Sequence, residues 1–263
     1  MKKFFKRLLK IIAWTLGILL LGGTIGYLVL DKKLPEGVEG AEAEALADKM
    51  LAAINKPAWD TLGALEYTYF KGGHHILWDK KRNLVDVKWG DNHVLADPSA
   101  MTGLAWEDGK PLSGEDANKI VQKGITWFWN DTFWLAAPFK AKDPGTVRKT
   151  VTNDDGSKSL LVTYSSGGRT PGDSYLWHLD ANGLPIAWQF WVKVLPIGGV
   201  RLGWEDWQTL PGGAKLSATR SSMSTSVPSP GYVAMPMLAD SAHSRSSVTN
   251  GWEAAARRVR ALC

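Results

Sequence analysis

Cysteine occurs once in the 263 residues, at Cys263, so no disulfide can form within the chain. A domain of this size buries enough surface without staples, so the lack of disulfides does not exclude an oxidising compartment. Acids are missing from the first ten residues, MKKFFKRLLK. There Lys2, Lys3, Lys6, Arg7 and Lys10 account for the whole formal charge of +5. The remainder is neutral, which gives no warrant for a nucleic-acid partner, since that needs a basic patch on the folded domain. Also missing are HExxH, CxxC, GxSxG and phosphate-loop patterns. His74 and His75 are adjacent and would point to opposite faces of a strand; His93 and His178 stand alone in sequence. No catalytic set, metal site or cofactor is expected from these residues.

Charge is missing once more between Ile11 and Leu30, and here the absence is informative. Twenty residues at ~1.5 Å rise span the ~30 Å hydrocarbon core of a bilayer. The run is longer than the apolar region of a secretory signal, and YLVLDKKLP is a poor cleavage site. Five cations precede it and only Lys32 and Lys33 lie close behind it. The expectation is a single-pass anchor in the inner (plasma) membrane, with a cytoplasmic N-terminus and a periplasmic or otherwise extracytoplasmic domain. The implied organisation is a basic tail over 1–10, a transmembrane helix over 11–30 and a linker over 31–38. A folded domain occupies 39–223, then a Ser- and Pro-rich tail runs over 224–263 with a short basic helix at its end.

Periodicity divides the domain. Leu46, Met50, Leu51 and Ile54 recur at helical spacing, and acids crowd the first turns, which predicts a helix over 39–55. Pro57 and Gly63 punctuate the stretch after it. Alternation then predicts strands at 64–69, 74–79, 84–89 and 92–97. Residues 99–113 look like a loop. Residues 115–136 return to a helical pattern, with Ser113 and Asp116 spaced as a capping box and Pro138 as the stop. Strands resume at 146–152, 158–165, 174–180, 185–195, 200–209 and 214–223. Their short turns include Asp154-Asp155-Gly156, Asn182-Gly183 and Pro211-Gly212-Gly213. Short turns between successive strands imply an antiparallel, up-and-down sheet. The tail after Ser224 does not resemble a continuation of that sheet.

Aromatics are the surplus. Of 14 tryptophans, 13 lie outside the apolar run, and TWFWNDTFWL (126–135) holds five large rings in ten residues. In PIAWQFWVKV, Ile186, Trp188, Phe190, Val192 and Val194 share one strand face, opposite Gln189, Trp191 and Lys193. Tyr175, Trp177 and Leu179 form a second set; Leu65, Tyr67 and Tyr69 a third; Val85, Val87 and Trp89 a fourth; Ile76 goes with Trp78. A sheet face this apolar must be covered, and the 115–136 helix is the obvious cover. Core packing accounts for most of these rings, each of which removes ~150–250 Å² from water. Rigid rings also wall cavities, so an apolar ligand between sheet and helix is the functional alternative. Candidate wall residues are Tyr67, Trp78, Trp89, Trp127, Phe133, Trp134, Trp177, Trp188 and Phe190. Asn130 and Asp131 are the polar points among them. For Asp131 the competing role is structural, bonding a neighbouring backbone or indole N–H.

The order helix, strands, lid helix, strands resembles the periplasmic lipoprotein carriers, LolA and its relatives. More locally, GGHHILWDKKRNLVDVKW and WFWNDTFWLAAPFKAKDPG resemble uncharacterised exported proteins of LolA-like fold, in which the pattern of Trp129, Asn130, Asp131, Phe133, Trp134, Leu135, Pro138, Phe139 and Lys140 recurs. The resemblance covers roughly 40–223. It implies an α+β fold in which a curved antiparallel sheet, a half-open barrel, is covered by helices over an apolar cavity. A tether and the tail after 224 depart from that family. Together these observations predict a membrane-anchored, non-catalytic domain that binds a lipid, a lipoprotein acyl chain or another apolar molecule. The alternative is a glycan-binding or structural envelope module using exposed rings such as Trp191 and Trp207, whose neighbours Gln189, Lys193 and Glu205 are polar.

Overall fold

The structure, a computed structural model, describes residues 31–69, 73–166, 171–221 and 233–234, with scattered positions between 4 and 30. Among the described residues no helix is long and apolar enough to cross a membrane. Most of the expected anchor over 11–30, most of the basic tail and all but two residues of 224–263 lie outside them. The described positions between 4 and 30 are all helical, and Ile12 and Trp14 are exposed.

The domain is α+β, with antiparallel sheets and few helices. It opens with α1 (Ala41–Ala53), whose first turn carries Glu42 and Glu44 and which buries Ala43, Ala47 and Met50. Ile54 is fully buried beyond its end. Asn55 then takes a left-handed conformation (φ 57°) and accepts a hydrogen bond from the Ala58 amide. This cap starts α2 (Lys56–Thr61), where the sequence pattern suggests only a break at Pro57. Proline is at home in the first helical turn, where its missing N–H would be unpaired anyway.

The first sheet is a meander of β1 (Ala64–Tyr69), β2 (His74–Asp79), β3 (Leu84–Trp89), β4 (Asn92–Asp97), β5 (Thr102–Glu107) and β6 (Lys110–Pro111), each paired with its predecessor. Register aligns Tyr67, Ile76, Val87, Val94 and Ala105 in one buried row across five strands. A second row runs Leu65, Trp78, Val85, Ala96, Gly103. The loop expected over 99–113 thus holds two strands. Gly103 hid β5 from the alternation test, and its place is steric. A Cβ there would lie 2.4 Å from the Leu95 carbonyl oxygen.

Helix α3 (Gly114–Ala136) covers this sheet through Val121, Ile125 and Phe128. Gly124 allows close approach, since a Cβ there would sit 3.1 Å from the Val94 side chain. The buried band of α3 is wide and also includes Asp131, Thr132 and Leu135. Ser113 occupies the N-cap position but makes no side-chain cap bond, so the expected capping box does not form. A 3-10 turn (Ala137–Lys140) containing Pro138 closes the helix, and Phe139 stacks on Trp59 at 4.4 Å.

The second meander comprises β7 (Thr146–Thr152), β8 (Lys158–Tyr164), β9 (Ser174–Leu179), β10 (Pro185–Trp191) and β11 (Val200–Gly203). Its inner rows are Leu160, Trp177, Trp188, Leu202 and Val162, Tyr175, Phe190, Val200. Helix α1 packs on β7 and β8. Ile186 and Val194 do not share the inner face as expected: they are 47% and 74% exposed. The register shifts between Pro185 and Ala187, so Ile186 is the extra residue of a bulge and leaves the alternation. The strand ends at Trp191, which strands Val194 in a turn.

The expected strand over 200–209 is broken at buried Trp204. Its second half, β12 (Glu205–Thr209), pairs with β13 (Lys215–Arg220), which pairs in turn with β14 (Val233–Ala234). The tail therefore does extend a sheet, by two residues set between Gly231 and Pro236, too short a stretch to give a periodic signal. The Gly203 amide bonds the Ser221 carbonyl, tying β11 to the end of β13. Leu210, Ala214 and Leu216 of the same hairpin enter the core of the first meander.

Candidate functional site

The nine candidate wall residues do not line one surface. Tyr67, Trp78, Trp89 and Trp127 belong to the core between the first sheet and α3. Phe133, Trp177, Trp188 and Phe190 belong to a second core on the inner face of the other meander. Trp134, close to the end of α3, packs against both.

Tyr67 is buried, and its hydroxyl shares a 2.5 Å hydrogen bond with Thr132 Oγ1 on α3. The Trp78 indole N–H donates to Asn83 Oδ1 at 3.2 Å, and its ring meets Phe128 edge-on at 5.3 Å. Trp89 and Trp127 are half-buried at the rim of the same core. In the second core, Trp188 is fully buried and central. Tyr175 stacks on it at 4.9 Å, while Trp177 (4.9 Å), Trp134 (5.0 Å) and Trp204 (5.2 Å) meet it tilted or edge-on. Phe133 stacks at a looser 6.4 Å. Edge-to-face contacts of this kind contribute about 0.5–1.5 kcal/mol each beyond area burial.

Asp131 is fully buried, and its partner was not legible in the sequence. His74 Nδ1, from β2, donates to Asp131 Oδ2 at 2.7 Å, and the neighbouring Asn130 amide donates to Oδ1 at 3.3 Å. Burial raises the Asp131 carboxyl above its ordinary range, and the His74 bond opposes that shift. The His74 ring lies 4.3 Å from Trp127, so the pair sits at the edge of the first core. His75 turns to the other face, toward Thr68 (3.2 Å) and Glu66 (3.1 Å). Among the described residues no group of three His, Cys, Asp or Glu is placed to hold a metal.

Several polar atoms inside the aromatic cores have no acceptor. The indole N–H groups of Trp177 and Trp188 are buried without a hydrogen-bond partner, and so is the hydroxyl of Tyr164, whose ring touches Phe133 and Tyr175. Trp127 presents the same feature in the first core. Leaving a buried donor unmatched costs about 1–3 kcal/mol, so several in one region are an expensive arrangement for a plain core.

The proposed glycan platforms are partly clothed. Trp191 is half-buried on the outer face of the second meander, and its indole N–H donates to the Lys32 carbonyl at 2.6 Å. Trp207 stacks on Trp204 at 5.9 Å and donates to the Pro185 carbonyl at 3.1 Å. The outer face also carries a group that the sequence does not assemble: Asn153, Ser159, His178, Gln189 and Arg201 lie together beside a cavity of about 710 Å³. Their one sequence signal is alternation. Each of His178 and Gln189 sits next to an inner-face tryptophan, so both had to point outward.

No family model and no curated protein sequence matches this chain.

Proposed function

We propose that this chain is a membrane-tethered extracytoplasmic domain that binds an apolar molecule bearing hydrogen-bond acceptors, such as an acyl chain with its ester or carboxyl group. The unmatched indole N–H groups of Trp177 and Trp188 carry the proposal. An acyl ester or carboxylate seated against Phe133 and Trp134 would give them acceptors while its chain lay against rings. The two meanders, with α3 between their cores and the β12–β13 hairpin touching both, support a half-open barrel of the LolA-like kind. The charge-free stretch over 11–30, with helical and exposed Ile12 and Trp14, supports the tether. A tethered domain of this type would hold or present its ligand at the membrane and would not shuttle it.

The test uses full-length protein extracted in mild detergent. Native mass spectrometry should find a co-retained lipid, and a fluorescent fatty acid should be taken up by the emptied protein. Trp188→Phe keeps an aromatic ring and deletes the unmatched donor. It should weaken uptake by roughly two- to tenfold, the worth of one hydrogen bond, and leave the unliganded protein no less stable. Protein that neither carries nor accepts a lipid would reject the proposal, and the aromatic regions would then be packed cores alone.

A further inference from the structure

The outer face of the second meander holds a second candidate site, independent of the aromatic interior. A cavity of about 710 Å³ opens there, floored by Leu176 and Trp191 and bordered by Lys32, Lys33, Lys158 and Arg201. Asp154 and Asp155 in the β7–β8 turn also line it, so four cations face two acids. Ser157 already holds the Asp155 carboxylate through two hydrogen bonds.

A chain of hydrogen bonds fixes the wall and leaves Arg201 out. Asn153 Nδ2 donates to Ser159 Oγ (2.8 Å), and Ser159 Oγ lies 2.9 Å from His178 Nδ1. His178 Nε2 lies 3.2 Å from Gln189 Oε1, and Gln189 Nε2 donates to the Gly199 carbonyl (3.3 Å). One assignment satisfies every member: His178 carries its proton on Nε2 and accepts from the Ser159 hydroxyl on Nδ1. Burial, then the neighbouring Arg201, lowers the pKa of His178 and keeps the ring neutral. Its Nε2 is then a donor, so Arg201 Nη1 at 3.5 Å finds no acceptor there. Arg201 Nε is buried and unmatched, and among the described residues no carboxylate lies within ion-pair distance of this guanidinium. A planar five-donor fork without an anion beside three lysines is suited to a phosphoryl or carboxylate group.

The surroundings select between them. Apart from Phe4, Ile12 and Trp14 near the N-terminus, the large hydrophobics exposed among the described residues are Leu30, Leu34, Val38, Ile186, Val194 and Leu195. All lie at the end of the apolar run, in the linker, on β10 or in the turn after it. The linker and that turn are joined: the Lys32 amide bonds the Gly198 carbonyl, and the Gly198 amide bonds Asp31 Oδ1 at 2.7 Å. Exposed aliphatic tips flanked by Lys32 and Lys33 are the composition of a surface at the headgroup level of a bilayer, where lysine stems reach to the interface. We propose that this groove receives the phosphoryl headgroup of an anionic phospholipid, gripped by Arg201 and Lys32, with Leu34, Val194 and Leu195 resting in the bilayer interface. The excess of cations in the wall selects a net-negative headgroup over a zwitterionic one.

The experiment places an environment-sensitive fluorophore on Leu195→Cys in a Cys263→Ser background of the full chain, held in neutral detergent micelles. Phosphatidylglycerol added to the micelles should raise the emission at concentrations where phosphatidylcholine does not. Arg201→Gln should weaken the phosphatidylglycerol response about fivefold, the effect of one cation at an anionic surface, and Arg201→Lys should restore part of it. If Arg201→Gln lowers the folded fraction, Lys32→Gln with Lys33→Gln removes two cations outside the sheet and should weaken the response further. Arg201→Gln should leave the uptake of the fluorescent fatty acid unchanged, which separates this site from the interior one. Equal responses to the two lipids, or a response indifferent to the cation variants, would overturn the proposal. Displacement by inorganic phosphate at matched concentration would assign the groove to a soluble phosphate, and saturation by an acidic oligosaccharide would assign it to a glycan; either result overturns the lipid assignment.

Discussion

Replacing His74 by phenylalanine isolates the one buried carboxylate of the α3 interface. Asp131 has no exposed surface, and His74 retains 12% of its side-chain exposure. Removing His74 leaves the buried carboxylate with the 3.3 Å Asn130 bond alone, and under-satisfying a buried charged group costs about 1–3 kcal/mol or more. Phenylalanine preserves the ring beside Trp127, so little packing is lost, and about 3 kcal/mol at pH 7.5 is the expected value. The loss must depend on pH. With His74 gone, only the Asn130 amide still opposes burial, and the folded pKa of Asp131 rises further above the unfolded value of about 3.9. Between those two values the folded chain binds a proton that the unfolded chain does not. Stability of the variant therefore falls as pH rises, by up to about 1.4 kcal/mol per pH unit, until the folded pKa is passed. The deficit should therefore be smaller at pH 5 than at pH 7.5. Urea unfolding monitored by tryptophan fluorescence at both pH values measures it, with His74→Phe/Asp131→Leu as the reference that lacks the carboxyl. The double variant should recover most of the stability at pH 7.5 and show a flatter pH dependence. Equal losses at pH 5 and pH 7.5, or a double variant as unstable as the single one, would refute the burial argument.

Local structure sets two further outcomes. Lys80 is held over the Trp59 ring at 3.8 Å, where burial pushes its pKa down to about 8. Between about pH 8 and pH 10.5 the unfolded chain keeps that proton and the folded chain does not, so stability should rise with pH across this window. Lys80→Met should flatten that part of the curve, as read by unfolding midpoints at closely spaced pH values. Asn55 combines a left-handed backbone, the α2 cap and a 3.1 Å bond to the Gly213 carbonyl. Asn55→Ala should cost about 1–2 kcal/mol in chemical denaturation, and Asn55→Gly should recover the backbone part of that loss.

Sequence alone determined the elements whose signal is local. Alternation located most strands of both meanders because a two-residue period needs no knowledge of the partner, and Asn182-Gly183 set its own turn with Gly183 at φ 90°. Apolar spacing located α1 and α3 for the same reason. What escaped was decided by neighbours distant in the chain. Strand β5 lacks a regular alternation because the Leu95 carbonyl requires a glycine at 103, and Ile186 is exposed because the pairing with β9 carries a bulge at that point. TWFWNDTFWL could be recognised as aromatic but not partitioned. Only the placement of α3 between two sheets sent Trp127 and Phe128 to one core and Phe133 to the other, with Trp134 touching both. Likewise, adjacency made His74 and His75 unlike from the start, but the pairing of His74 with Asp131 spans 57 residues and required the helix to dock. The chain of Asn153, Ser159, His178 and Gln189 is of the same kind. Each was an ordinary outward-facing polar residue until strand register across the second meander brought them within hydrogen-bonding reach, a distance that no one-dimensional period encodes.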